Sequence, residues 1–148
     1  LANKRSKFLK GGIKMNLVML IGRLTRDPEL RYLPGTGTAV TTFTLAVDRE
    51  LSREKKQELE EKGEQTADFI NIIVFGKSAE NCANYLEKGR LVAIQGRIQS
   101  RSWETKDGSR RYATEVVANQ VQFLEWGKDN DIPDGFIEVN SESENIPF

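Results

Sequence analysis

In Ala67-Asp68-Phe69-Ile70-Asn71-Ile72-Ile73-Val74-Phe75 the side chains fall into two unlike rows. Successive residues of a strand point to opposite faces, so Ile70, Ile72 and Val74 form one row and Phe69, Asn71, Ile73 and Phe75 the other. The first is a plain core face. The second mixes two rings with an amide, which a dry core does not normally choose. After Gly76 the period changes. Ala79, Cys82, Ala83 and Leu86 recur at i, i+3, i+4 and i+7, with Ser78 as a cap and Gly89 as a stop, which predicts a short helix. Its buried stripe holds Cys82 as a small hydrophobe. Working outward, residues 16–24 are an apolar run of strand length, and 38–48 place Phe43, Leu45 and Val47 on one face. Downstream, 90–103 and 110–124 read as two strands with Asp107-Gly108 as a two-residue hairpin turn. Residues 49–66 are almost wholly charged or polar and read as a long solvated hairpin loop, with transient helix as the alternative. The expected architecture is all-β with one short helix.

Composition limits the chemistry. The 148 residues hold 22 basic and 22 acidic side chains, one cysteine and no histidine. One thiol excludes an internal disulfide and points to a reducing, cytoplasmic setting. Without histidine, triad hydrolases and Cys/His zinc sites are excluded, and no metal or cofactor is expected. Glu60-Glu61 lie in the charged run without a pocket, and Pro34-Gly35-Thr36-Gly37 lacks the Lys-Ser/Thr ending of a phosphate loop. No catalytic residues are assigned; the expectation is a binding protein, not an enzyme. The longest apolar run, residues 17–21, is too short to cross a bilayer.

The zero net charge is a sum of unlike parts. Residues 1–14 carry five cations and no acid, and are expected to be an appended or upstream extension before a native start at Met15. Residues 15–126 hold 16 cations and 16 acids and form the expected folded domain. Residues 127–148 carry six acids against Lys128, a net −5, and read as a disordered acidic tail.

In the fourth strand Arg97, Gln99, Arg101 and Trp103 share a face opposite Val92, Ile94, Gly96 and Ile98. A two-residue turn would set Trp103 opposite Tyr112 and Arg101 opposite Thr114. Phe69, Phe75, Trp103 and Tyr112 would then be displayed among Lys77, Arg97 and Arg101. Rings interleaved with cations suit a single-stranded nucleic acid, whose bases stack while its phosphates are neutralised. Each feature has a plainer reading: the phenylalanines as core cover, the arginines as a solvated strand face, Trp103 as a packing residue. Their coincidence on one face is what favours the groove.

These residues resemble the bacterial single-stranded DNA-binding proteins. The resemblance rests on Met15-Asn16-Leu17-Val18-Met19-Leu20-Ile21-Gly22-Arg23-Leu24, Asp27-Pro28-Glu29-Leu30-Arg31-Tyr32, the strand from Asp68 to Lys77, Tyr85-Leu86-Glu87-Lys88-Gly89, Arg101-Ser102-Trp103 with Tyr112-Ala113-Thr114-Glu115-Val116, and Ile146-Pro147-Phe148. It implies an OB-fold, a five-stranded barrel followed by the tail, and a homotetramer with DNA wrapped outside. By position it implies stacking by Phe69, Phe75 and Trp103, with Tyr85 added. Leu51 stands where the family has a further ring, and Asn71 where it has a basic residue. Arg31, Lys77, Lys88, Arg97, Arg101 and Arg111 are the phosphate contacts expected from location or resemblance. The Ile146-Pro147-Phe148 tip is expected to recruit replication and repair proteins, a bulky ring beside a free carboxylate. The function implied is sequence-tolerant protection of single-stranded DNA in replication, recombination and repair. An OB-fold RNA-binding or primosome accessory protein is the alternative.

Overall fold

A computed structural model describes residues 12–125. The central strand β4 (Ala67–Phe75) runs antiparallel to β3 (Ala39–Asp48) and parallel to β6 (Arg110–Phe123). β6 pairs with β5 (Leu91–Glu104), β5 with β1 (Val18–Leu24), and β1 returns to β3 through Arg23↔Ala46 and Leu24↔Leu45. Five strands thus close into a barrel, as expected of an OB-fold, and a short sixth, β2 (Glu29–Tyr32), lies along β3. Closure leaves less exposed sheet edge than an open sheet would.

The interior follows from strand alternation. Phe43, Leu45, Ile72, Val74, Val92, Ile94, Val116 and Ala118 are all buried in one cluster. Each large aliphatic removed from water stabilises the fold by about 1.5–3 kcal/mol. Helix α2 (Lys77–Tyr85) packs on β2, β3 and β4 with Ala79 and Cys82 fully buried. The buried Thr41 hydroxyl ties it down by donating to the Ala79 carbonyl at 2.6 Å. Two glycines permit closure by close approach. A Cβ on Gly22 would stand 2.4 Å from the Ala46 carbonyl oxygen, and one on Gly96 2.2 Å from that of Val117.

The structure departs from the sequence expectations at several places. The run 49–66 contains a helix, α1 (Arg53–Glu61), capped by the Ser52 hydroxyl, which accepts from the Lys55 N–H at 3.2 Å. It buries no residue, so it carries none of the apolar periodicity by which a helix is read. The fold therefore has two short helices, not one. β2 lies where only a loop was expected; its four residues are all exposed. The second helix starts at Lys77 behind Gly76, not behind a Ser78 cap, and ends at Tyr85, leaving Gly89 in the turn beyond.

The β5–β6 hairpin turns through three residues, not two. The Thr105 N–H donates to Ser109 and the Gly108 N–H to Thr105, with Gly108 at φ +85°. A two-residue type I′ turn needs positive φ at both central residues, and Asp107 stays negative. The pairs are therefore Trp103↔Arg111 and Arg101↔Ala113, while Tyr112 stands opposite Ser102. One residue of register moves Tyr112 to the other face from Trp103. Further along, the ladder passes from Gly96↔Ala118 to Gln95↔Gln120, so Asn119 is an extra residue on β6. Before it Val116 and Ala118 face inward; after it Val121 and Phe123 do. No helix of the described residues is long and apolar enough to cross a membrane.

The expectations placed on residues 1–11 and 126–148, including the basic extension, the acidic tail and the tip Ile146, Pro147 and Phe148, lie outside the described residues.

Candidate nucleic-acid interface

One outer surface spans the barrel. Ile73 pairs with Val117 and Val117 with Arg97, so the Phe69–Asn71–Ile73–Phe75 row continues into the row of Arg97, Gln99, Arg101 and Trp103. On its other side Phe75 pairs with Val40 and Val40 with Arg31. Phe69 is 56% exposed, Phe75 45% and Trp103 41%. These are not buried core rings, as Phe43 is at 2% exposure. Asn71 is exposed among them and accepts from the Thr44 hydroxyl at 3.1 Å.

The cations are placed unequally. Arg31 lies on this surface through β2, and Arg111 directly opposite Trp103. Neither makes an ion pair among the described residues, so both guanidinium groups are available to an anion. Arg97 reaches only the neutral Gln99 amide, at 3.4 Å. Lys77 follows Phe75 and stands 3.6 Å from Glu80 in a well-exposed pair worth little in water. Arg101 is engaged most strongly. Its Nε donates to Glu115 at 2.9 Å, and its guanidinium lies 4.8 Å from the centre of the Trp103 ring. Tyr85 and Lys88 lie off the sheet, on α2 and in the turn after it; Tyr85 is half-buried, and the Lys88 N–H is held by the Asp27 carboxylate at 2.9 Å. Tyr112 is exposed, on the reverse of the hairpin.

Sequence reasoning missed Glu115, which is only 4% exposed beside Arg101 and Gln99. The right register would have revealed it, because it sets Glu115 opposite Gln99 and diagonal to Arg101. Burial pushes the Cys82 thiol up to about 12, so it is neither a nucleophile nor a ligand at neutral pH. No group of three or more acidic, histidine or cysteine side chains among the described residues could hold a metal ion. The surface offers stacking and charge neutralisation.

Comparison with known proteins bears on the same residues. The model of the single-strand binding protein family matches residues 15–124, which include the whole barrel and the rings Phe69, Phe75, Tyr85, Trp103 and Tyr112. Among relatives, single-stranded DNA-binding protein 3 of Clostridium acetobutylicum is 56% identical over 131 residues, covering 88% of this chain and 85% of the relative. The single-stranded DNA-binding protein of Clostridium tetani is 63% identical over 113 residues, 76% of this chain and 72% of the relative. That of Bacillus cereus is 54% identical over 111 residues, 75% and 61% respectively. With a match across the barrel and identities this high, the chain belongs to the single-strand binding protein family.

Proposed function

We propose that this protein binds single-stranded DNA without sequence preference and protects it during replication, recombination and repair, in the cytoplasm on the nucleoid. The observation that carries this is the exposure of Phe69, Phe75 and Trp103 on one surface with Arg31, Arg97 and Arg111. Exposed rings lose stability in water and gain it by stacking on bases, whatever the base. Lys77 and Lys88 extend the track of phosphate contacts at the α2 end, Tyr85 adds a half-buried ring there, and Tyr112 serves the reverse of the hairpin.

The same chain is proposed to assemble as a homotetramer. Leu17, Met19 and Ile21 are exposed in one row of the β1 edge. Met19 pairs with Gln95 and Ile21 with Ala93, and Gln120 and Gln122 lie one strand further, so these neighbours carry no charge. A second copy covering the row would relieve that exposure. The tip Ile146-Pro147-Phe148 is proposed to recruit replication and repair proteins.

The test is a titration with poly-dT at two salt concentrations, repeated with an RNA of equal length. Trp103→Ala or Phe69→Ala should weaken DNA binding by about 1–3 kcal/mol each, a range known for base stacking in single-strand binding proteins themselves and not worked from this structure. Arg111→Ala should lower the salt slope by about 0.7. Affinity unchanged from the parent in both ring variants would reject the surface; stronger binding to the RNA would favour an RNA-binding or accessory role.

A further inference from the structure

We propose that Glu115 is a positioning residue for Trp103, acting through Arg101 to set the ring before a base arrives. The proposal rests on the reading of Trp103 as a stacking ring. Among the described residues Glu115 is the only acidic or basic side chain that is buried. A carboxylate in that place is costly unless it is paired, and an apolar residue would pack there at no such cost. Its partners say what the charge does. Arg101 donates through Nε at 2.9 Å and the Gln99 amide donates at 3.3 Å, both to the one carboxylate oxygen Oε1. Donation from Nε fixes the plane of a guanidinium, and this one lies 4.8 Å from the centre of the Trp103 ring. A buried anion, a half-exposed cation and an exposed ring thus form one chain of contacts running outward. The guanidinium covers one face of the indole and leaves the other to a base. A ring already held loses less freedom on binding than a free one. Arg101 therefore serves the ring and not a phosphate.

The experiment uses the full chain carrying Trp126→Phe, so that Trp103 is the sole tryptophan. Affinity is read from the anisotropy of a labelled dT oligonucleotide, and the mobility of Trp103 in the free protein from its emission polarisation. Glu115→Gln and Arg101→Lys should each weaken binding by about two- to tenfold and loosen Trp103, with the salt slope unchanged. Joined to Trp103→Ala, Glu115→Gln should have no further effect on affinity. Arg101 is exposed, so its lysine variant keeps the fold even if Glu115→Gln lowers stability. A loss from Glu115→Gln that persists undiminished in the Trp103→Ala background would overturn the proposal in favour of a general structural role. Wild-type affinity and ring mobility in Arg101→Lys would overturn it too, because charge alone would then suffice. If Trp103→Ala weakens binding and Glu115→Gln does not, only the positioning role falls. If Trp103→Ala leaves affinity unchanged, the stacking reading falls and takes the positioning role with it.

Discussion

Replacing Gly96 by alanine should unsettle the barrel more than any other single methyl added on the hairpin side. Gly96 sits on β5 between Val18 of β1 and Ala118 of β6, next to the extra residue Asn119. Its φ is not in the left-handed region, so the backbone would accept alanine; the obstruction is space. The new Cβ would lie 2.2 Å from the Val117 oxygen and 2.9 Å from the Ala118 Cα. Both are main-chain atoms in the middle of a ladder, which cannot swing aside as a side-chain tip can. Either β5 and β6 separate or the register shifts, and the cost falls at the upper end for overpacking, about 3 kcal/mol. Unfolding entropy of roughly 2.1 cal/mol/K per residue over a domain this size converts that to a fall of about 12 °C in Tm. Gly108→Ala is the control. It has open space but φ +85°, so it should cost only about 1–2 kcal/mol of backbone strain. Calorimetry of both variants at equal protein concentration decides, since the proposed assembly would make Tm concentration-dependent. A Gly96→Ala protein melting within about 2 °C of the parent would refute the close-approach argument.

Four further outcomes are expected. The Asp107 carboxylate accepts from the Ser109 hydroxyl, the Thr105 hydroxyl and the Ser109 N–H, which draw its pKa down to about 2. Because the folded value lies below the ordinary value of about 3.9, the turn's stabilisation is complete above that pH and lost as pH falls through 2; an NMR midpoint near about 4 would contradict it. Cys82, fully buried, should resist a disulfide reagent at neutral pH until denaturant is added, and prompt reaction would show that α2 opens in the native state. Ile21→Lys should lower the mass seen by light scattering, and an unchanged mass would move the subunit contact away from β1. Removing Phe148 should abolish capture of partner proteins while leaving affinity for single-stranded DNA intact; capture that survives would leave the tail only its charge.

The barrel was legible because its interior obeys a simple rule. Phe43, Leu45, Ile72 and Val74 alternate cleanly, and Ala79, Cys82 and Leu86 keep helical spacing, so burial wrote itself into local order. What stayed hidden depended on geometry without a local signature. Helix α1 is held by the Ser52 cap and a Lys62–Glu58 pair at 2.9 Å, and buries nothing. The hairpin register turned on the sign of one backbone angle at Asp107, and that angle moved Tyr112 off the face of Trp103. Glu115 was lost with the register, because its role is visible only when it stands opposite Gln99. The rings Phe69, Phe75 and Trp103 were readable as a row, but their exposure was not, because alternation alone does not say whether a row is covered.

Asn119 has a consequence for how strand β6 stores information. A straight strand is written in a single phase, every second letter meaning inside. Here the phase slips once, so the same strand is read in even letters through Val116 and Ala118 and in odd letters through Val121 and Phe123. The extra residue behaves like a dislocation in a crystal: it belongs to neither half and lets both fit. A chain without it could not be repaired by sliding. Any register that kept Val116 and Ala118 inside would turn Val121 and Phe123 to the outer side, and the opposite slide would expose the first pair. The hairpin half that carries the ring surface and the half that closes the barrel against β1 are thus joined by one residue whose side chain need do nothing at all.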